Sequence, residues 1–349
     1  MPKNRQVTFR DIAAEAGVST MTVSRVLSGR GPVRPERREL VEAVARRLGY
    51  VQNPIVQRVM SDLRRGRGGG LRGTIAFLNS SRCEDDWRRH PYLRPCWEGA
   101  RTRAEETGFA FDEIWVNAPR WTASRTYDVV RARGIDALLV VPGSNPAQVE
   151  FPLGEFALAS FGGLAFELPV HQVLPDYFYN LATCYRRLWA LGYRRIGAFV
   201  PDYELRMTGR ESLGGFLAAQ WESRLKKPVP VGTHPNNWQE AEQTFKRWVR
   251  DHRPDAVIAG YNQAARWLAE LGFSVPGDIG LAHPGLAEDV AGWSGVDPDL
   301  RAQGAQAVDL LTAQLFRNER GLPAQPKRLT IRGRWVEGKT TRPQASASA

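Results

Sequence analysis

Residues 8–27 read TFRDIAAEAGVSTMTVSRVL, and this stretch decides how the N-terminal part of the chain folds. Thr8, followed three residues later by an acid, is a pattern typical of a helix start. Gly17 is suited to end that helix because glycine readily adopts positive φ. Ser19 is a favourable N-cap for a second helix over residues 20–27. The stretch therefore predicts two short helices joined by a tight turn.

A third helix follows, with Pro35 in its first turn, where a missing N–H costs nothing. Its apolar residues recur at helical spacing and are Leu40, Val41, Val44 and Leu48. Two short helices with a third closing the core form the helix-turn-helix arrangement. In that geometry the second helix enters the major groove of DNA with its N-terminal side chains.

The second helix supplies side chains suited to read and hold DNA. Arg25 can pair bidentately with a guanine, and the methyl groups of Thr20 and Met21 can touch thymine methyls. Hydroxyl groups suited to phosphates, together with Thr8 nearby, complete the predicted contact set: Ser19, Thr22, Ser24 and Ser28. The alternative interpretation is a three-helix bundle with no nucleic-acid partner.

The distribution of charge favours the DNA-binding interpretation. The chain has 349 residues and a net charge of +11, and residues 1–72 carry 15 Lys and Arg against 6 Asp and Glu. About a fifth of the sequence therefore holds nine of the eleven excess positive charges. A basic head on a nearly neutral body is what attraction to phosphates requires.

Residues 7–33 closely resemble the start of LacI/GalR-family repressors, and the resemblance continues through Gly49-Tyr50-Val51-Gln52-Asn53-Pro54. It implies a hinge helix, here over residues 54–63, that folds when two subunits meet on DNA and wedges a leucine into the minor groove. By position the wedge is Val59, beside Val56, and Asn53 joins the DNA contacts. Valine is shorter than leucine, which leaves two alternatives open. Met60 or Leu63 is the wedge instead, or the segment is a linker helix that does not insert into DNA.

The sequence after the head predicts an α/β body. Strand-like and helical segments alternate in two successive blocks, which indicates two lobes, each a doubly wound parallel sheet. The segments 191–197, 253–258 and 275–282 resemble the family's body, which looks like a periplasmic sugar-binding protein whose chain crosses three times between lobes. The predicted organisation is a head with its hinge helix at 1–60, a Gly/Arg linker at 64–73, the body at 74–340 and a tail at 341–349.

The same resemblance implies an effector cleft between the lobes, but several usual sugar contacts differ. Family members place an arginine three residues before a Gly-aromatic pair, and Ser212 stands there, with Arg210 or Arg206 as substitutes. Asp176 matches a family cleft position. Asn262 and the aromatic Trp293 complete the candidate set. Two interpretations remain: the effector differs from the common sugars, or the cleft has lost its ligand.

Other chemistries find little support in the sequence. Residues 333–340 match the phosphate-binding pattern G-x-x-x-x-G-K-T, but too little chain follows to build the helix that such a loop opens. Residues 68–73 match G-x-G-x-x-G, yet a strand follows where a helix is needed. Three dispersed cysteines and no metal-type histidine pair argue against a zinc site, so we expect neither enzyme activity nor a cofactor. No signal-peptide or membrane-spanning segment is evident, which predicts a cytoplasmic protein.

The sequence thus predicts a transcriptional repressor that binds a palindromic operator as a homodimer. A small molecule, for which a carbohydrate is one candidate, would control its affinity through lobe closure. The alternative is an architectural DNA-binding protein whose body only dimerises. That alternative predicts weak sequence preference and no effect of a ligand.

Overall fold

The computed structural model describes residues 9–27, 33–48, 50, 73–140, 151–162, 168–234 and 237–344. The chain divides into two compact units, residues 1–68 and 69–349, which we call the head and the body. The predicted hinge helix at 54–63 and most of the linker at 64–73 lie outside the described residues, as do residues 345–349 of the tail.

Three helices build the head: α1 (Phe9–Ala16), α2 (Thr20–Leu27) and α3 (Pro35–Arg47). Their inward side chains form one apolar cluster that includes Ile12, Val23 and Val41, all of which are fully buried. Leu40 is 47% exposed, so its assignment to the apolar face of the third helix is wrong. The helix buries Val41, Val44 and Ala45, and a residue one step away points about 100° off that face.

The first lobe of the body is a six-stranded parallel sheet with helices on both sides. Its first block is β1 (Thr74–Asn79), α4 (Asp86–Arg89), α5 (Leu93–Glu106), β2 (Ala110–Trp115), α6 (Ala123–Ala132), β3 (Ile135–Val140), β4 (Ala157–Phe161) and β5 (His171–Pro175). Later in the chain it gains α12 (Leu300–Arg317), which packs on α5, and β11 (Arg328–Ile331). The strand order is β2-β1-β3-β4-β5-β11.

The second lobe is a six-stranded sheet of the same design, parallel except at one edge. Its elements are α7 (Tyr177–Ala190), β6 (Ile196–Pro201), α8 (Asp202–Met207), α9 (Glu211–Glu222), β7 (Gly232–His234), α10 (Trp238–His252), β8 (Ala256–Ala259), α11 (Ala264–Glu270), β9 (Gly280–His283), β10 (Ser294–Asp297) and β12 (Arg334–Val336). The strand order is β7-β6-β8-β9-β10-β12, and β12 runs antiparallel to β10.

Both faces of each sheet are covered, and the sequence of the strands shows why. In β1, Ile75 and Phe77 belong to one apolar cluster, whereas Ala76 and Leu78 belong to another. Alternate side chains of a strand point to opposite faces, so a continuous apolar run needs a covering layer on each side. The predicted two-lobed, doubly wound body is confirmed, with three crossings between lobes at residues 175–177, 297–300 and 331–334.

Asp255 fixes the start of β6 to the loop before β8. One carboxylate oxygen accepts from the backbone N–H of Arg194 and the other from that of Arg195, both at 2.8 Å. We expect Asp255→Ala to lower the free energy of unfolding by about 1–2 kcal/mol, because both N–H groups lose a charged acceptor. Urea unfolding measures this. The exposed Asp251 is the control, and a loss as large in Asp251→Ala contradicts the assignment.

Candidate DNA-binding helix and interlobe cleft

The recognition face is the outward side of α2. Val23 and Val26 point into the head's core, whereas Thr20, Met21 and Arg25 are exposed, Met21 to 63%. Positions 21 and 25 are one turn apart and therefore share a face. The structure thus brings the three predicted base-reading side chains to one surface of the head.

The start of α2 is fixed by local hydrogen bonds. The Thr22 N–H donates to Ser19 Oγ at 3.1 Å, which confirms the predicted N-cap, and the two hydroxyl oxygens are 2.9 Å apart. Gly17 has φ +62°, and the Val18 N–H donates to the Ala13 carbonyl at 3.1 Å, which ends α1. This turn sets how α2 is presented.

Several predicted contact residues are half-buried or lie beyond the described chain. Thr22 and Ser24 are half-buried on α2. The other predicted DNA contacts lie outside the described residues and remain predictions: Thr8, Ser28, Asn53, Val56 and Val59.

The interlobe cleft lies at the carboxyl ends of the parallel strands. Tyr92, just before α5 in the first lobe, donates through Oη to the carbonyl of Gly285 in the second lobe at 3.1 Å. Nearby, Arg94 of the first lobe pairs with Glu288 of the second. These two contacts join the lobes at the edge of the cleft.

Glu204 lies at the carboxyl edge of the sheet in the second lobe. It lies on α8, directly after β6, and is half-buried. A methyl group built on Gly260, at the end of the adjacent strand β8, stands 3.4 Å from its Oε2. Burial raises the pKa of Glu204 to about 7, because a carboxylate loses favourable hydration when solvent is removed.

The charge of Glu204 acts on three tyrosines: Tyr92, Tyr203 and Tyr261. Burial, followed by the charges of Asp289 and Glu204, raises the pKa of Tyr92 above its usual range. Burial and the charge of Glu204 do the same for Tyr261. The carboxyl groups of Glu204 and Asp289 therefore add to the effect of burial and oppose ionisation of these tyrosines.

Histidines near the cleft are held neutral. His283, at the end of β9, accepts from the Gly285 N–H through Nδ1 at 3.1 Å, and burial lowers its pKa to about 4. Burial also lowers the pKa of His90, against an opposing effect of Asp289. Neither ring supplies a full positive charge to the cleft at neutral pH.

Some predicted effector contacts already have partners within the protein. Asp176 caps α7 by accepting from the Tyr179 N–H at 2.9 Å and lies 3.5 Å from Arg332. Asn262 is exposed and donates to Asp289 at 3.0 Å.

The other three predicted contacts differ in how far they reach the surface. Arg210 is exposed and precedes α9 with φ +62°. Trp293 is half-buried, with its ring edge-on to His283 at 6.3 Å between centroids.

Ser212 is fully buried, and its hydroxyl lies 3.2 Å from that of Thr208. Its side chain does not reach the cleft surface, which corrects its placement among the effector contacts. It packs inside the lobe because it lies on the buried face of α9, together with Gly215 and Phe216.

A second crevice, about 380 Å³ in volume, opens between the lobes. Its apolar lining includes Pro91, Pro95 and Leu300. Its charged groups are largely engaged, since Glu288 pairs with Arg94 and Asp297 lies 3.9 Å from Arg334. The tyrosines and Glu204 do not line it, so it is a weaker candidate for a polar ligand.

The segment that matches a phosphate loop is structural. Residues 334–336 form the edge strand β12, and the Lys339 N–H donates to the Gly292 carbonyl at 2.9 Å. Thr340 is buried and donates its hydroxyl to the Leu281 carbonyl at 2.6 Å. No helix begins within the described residues after this segment, so the loop lacks the helix N-terminus that holds phosphate.

Glu204 makes the stability of the body depend on pH. Its folded pKa of about 7 exceeds its ordinary value of 4.5, so the folded form holds the proton to higher pH than the unfolded chain does. The contribution of Glu204 to the free energy of unfolding is fully present below about pH 4.5 and is lost as the pH rises through 7. As the pH rises from 5 to 8, we expect the free energy of unfolding of Glu204→Gln to increase, relative to that of the native chain, by up to about 3 kcal/mol. Thermal unfolding at both pH values measures this, and a constant difference contradicts it.

Comparison with known proteins identifies the family. The family model described as bacterial regulatory proteins, lacI family, matches residues 8–53, and that of the periplasmic binding protein-like domain matches residues 185–341. Together the two cover more than half of the chain. The chain belongs to the LacI family of bacterial regulatory proteins. It is a DNA-binding transcriptional regulator, and the prediction that it is not an enzyme is confirmed by its relatives.

Relatives of this LacI-family regulator include the HTH-type transcriptional repressor PurR of Escherichia coli O1:K1, 26% identical over 290 residues that span 78% of this chain and 79% of PurR. The transcriptional regulator CelR in complex with cellobiose superposes with a TM-score of 0.58 at 19% identity, covering 96% of this chain and all of that one. A lac repressor dimer bound to operator and the anti-inducer ONPF superposes with a TM-score of 0.56 at 20% identity, covering 97% of this chain and all of that one. These structures share the fold.

Sequence reasoning did not single out Glu204, Tyr203 or Asp289 as cleft residues. A signal was present for Glu204, because Asp202-Tyr203-Glu204 directly follows the apolar strand β6, residues 196–201. Side chains that follow parallel strands meet at the carboxyl edge of the sheet, where α/β proteins bind ligands.

Within the described part of the regulator, no helix combines the length and apolar character needed to cross a membrane.

Proposed function

We propose that this regulator is a repressor that binds a palindromic operator as a homodimer. The observation that carries the proposal is the outward face of α2, where Thr20, Met21 and Arg25 are exposed while Val23 and Val26 hold the helix to the core. A two-fold dimer presents two such helices to two half-sites. PurR is named a repressor, and the lac repressor was solved as a dimer on its operator.

The proposed DNA contacts are those predicted from the sequence. Base edges are met by Thr20, Met21 and Arg25, and phosphates by hydroxyl groups around α2. Val56 and Val59 of the hinge helix act in the minor groove, and Asn53, which precedes that helix, is a further DNA contact. Ser19 serves as the N-cap as well, so any phosphate contact it makes shares its hydroxyl with the Thr22 N–H.

We further propose that a small molecule bound between the lobes controls operator affinity. The proposed ligand contacts are Asp176, Arg210, Asn262 and Trp293 from the predicted set. Tyr92 and Arg94 already link the two lobes. A ligand that binds one lobe arrangement more tightly shifts the population toward it. CelR was solved with cellobiose, so a related body holds a small ligand.

Selection of bound sequences from a random duplex library tests the operator proposal. Full-length protein is used at a stated salt concentration, because phosphate contacts make affinity salt-dependent. An enriched palindrome, with sedimentation showing two chains per duplex, is the expected result. Salt-sensitive binding without enrichment overturns it and favours an architectural protein whose body only dimerises.

A further inference from the structure

A row of exposed apolar side chains runs along the solvent side of α7 and α9. Its members are Phe178 of α7 and Leu217 and Trp221 of α9, and the Trp221 side chain is 85% exposed. Leu217 and Trp221 are one turn apart on α9 and share a face. A methyl group built on Gly214, three residues before Leu217, would meet the Phe178 ring at 3.6 Å, so Phe178 lies beside the same face. We call these three side chains the apolar stripe.

The two helices that carry the apolar stripe lie side by side and run in the same direction. Near their starts, a methyl group on Gly215 would stand 2.0 Å from the carbonyl oxygen of Phe178. Near their ends, the Tyr185 hydroxyl donates to Ser223 Oγ at 3.0 Å. Because α7 leads directly into β6, these ends lie at the amino edge of the sheet, opposite the edge that faces the cleft.

Positive charge lies beyond Trp221, at the end of the stripe. Three exposed cations follow α9, and we call them the basic end: Arg224, Lys226 and Lys227. Glu222, the acid next to Trp221, already pairs with Arg186 at 2.8 Å. Residues 177–190 and 211–227 together hold five Lys and Arg against two Asp and Glu, a net charge of +3. An acidic partner is therefore attracted to this surface.

We infer that the apolar stripe and the basic end dock an acidic amphipathic segment of a partner protein. Apolar side chains of that segment pack along the stripe, as when an amphipathic helix lies on an apolar surface. Its carboxylates face the basic end, which fixes the direction in which the segment lies. Trp221 contributes most, because a tryptophan ring buries a large area and is enriched among the residues that dominate binding.

Other occupants fit this surface less well. If two copies of the chain met through it about a two-fold axis, two faces of net charge +3 would repel each other. A nucleic acid binds mainly through its phosphates, which contact cations. The aliphatic side chain of Leu217 at the centre of the stripe suits an apolar side chain of a peptide better than a phosphate.

Selection from a displayed library of random peptides, each about 16 residues long and so about four helical turns, tests the inference on the full-length protein. We expect enrichment of acidic peptides whose apolar residues recur three or four positions apart. Binding of the enriched peptides, measured by fluorescence anisotropy, should weaken as salt rises, because salt screens exposed charges. Versions with Asn and Gln in place of Asp and Glu should bind more weakly.

Variants of the apolar stripe and of the basic end separate the two contributions. Trp221→Ala should weaken binding of the enriched peptides about tenfold or more. Lys226→Glu combined with Lys227→Glu should weaken binding and reduce its salt dependence. The controls are Leu322→Ala, at an exposed apolar position of the first lobe, and Arg247→Glu, at an exposed position of α10. Both controls should leave peptide binding unchanged, and every variant should keep the operator preference of the native chain.

The inference is overturned if no acidic peptide is enriched, or if the enriched peptides bind Trp221→Ala as tightly as the native chain. It is also overturned if Trp221→Ala weakens binding to non-operator duplex DNA, which would make this face a nucleic-acid surface. Sedimentation showing higher assembly that Trp221→Ala abolishes would instead assign the face to a second copy of the chain. Retained operator preference shows that each variant is folded, so failure of this inference is distinct from failure of the proposed repressor.

Discussion

Arg25→Ala is expected to weaken binding to the selected operator by about 1–3 kcal/mol for each half-site. Arg25 is exposed on α2, one turn after Met21, at a distance from the helix start that suits a guanine edge. A homodimer loses the contact twice, about 2–6 kcal/mol in all, so the expected loss in affinity is roughly 30-fold to 25,000-fold. The preference at one base position in each half-site should relax at the same time.

Arg46→Ala is the matched control, because it removes the same charge from an exposed position of α3. It should leave the sequence preference unchanged and at most reduce the salt dependence of binding by about one unit per subunit. Quantitative binding to the operator and to single-base variants at two salt concentrations separates the two effects. If Arg25→Ala weakens binding to all sequences equally, Arg25 contacts phosphate and does not read a base.

Gly215→Ala is expected to destabilise the body by about 3 kcal/mol or more. At this position α9 meets the backbone of α7, and a methyl group would stand 2.0 Å from the carbonyl oxygen of Phe178. Backbone atoms cannot swing aside as a side-chain end can, so the helices must separate. Helix propensity alone would favour alanine by about 1 kcal/mol, so packing reverses the expected sign.

The neighbouring Gly214 provides a control in the same helix. A methyl group there would meet the Phe178 ring at 3.6 Å, an ordinary contact. Gly214→Ala should therefore raise the free energy of unfolding by up to about 1 kcal/mol. Urea unfolding followed by tryptophan fluorescence measures both variants, and equal effects of the two substitutions would show that helix propensity, and not the α7–α9 contact, governs this site.

The Gly215 contact also explains part of the family pattern. The Gly215-Phe216 pair served in the sequence as a landmark for an effector contact three residues earlier. In the structure, Gly215 lets α9 approach α7, and Phe216 packs edge-on to Tyr185 at 5.5 Å between ring centroids. Ser212 lies on the same inward face and is buried with them. In this protein the Gly215-Phe216 pair therefore indicates the contact between α9 and α7.

Local signals predicted the head well because each acts over a few residues. Gly17 adopts positive φ, Ser19 caps α2, and Pro35 begins α3, as their chemistry requires. Leu40 was misplaced because an apolar residue adjacent to a helical stripe cannot be separated from it by spacing alone. Its exposure depends on how α3 is rotated against α1 and α2, which is a tertiary contact.

In the body, the sequence predicted the alternation of strands and helices and the two lobes, but several strands were not recognised. The unassigned strands include β4, β7 and β10, which are three to five residues long. Short strands carry too few residues to show a period. Their places in the sheets depend on neighbours distant in the chain, as in the pairing of β5 with β11.

By itself the sequence determined the helix-turn-helix, the face of α2 that points outward, and the class of the body. Helix caps, turns and apolar periodicity depend on residues that are close together in the chain, so they can be recognised from the sequence. Only the tertiary structure decided the chemistry of the cleft. The charge of Glu204 in the second lobe acts on Tyr92 in the first, because parallel strands bring their carboxyl ends to one edge and the chain crosses three times between lobes. No spacing along the chain encodes that arrangement, and burial within it is what raises the pKa of Glu204.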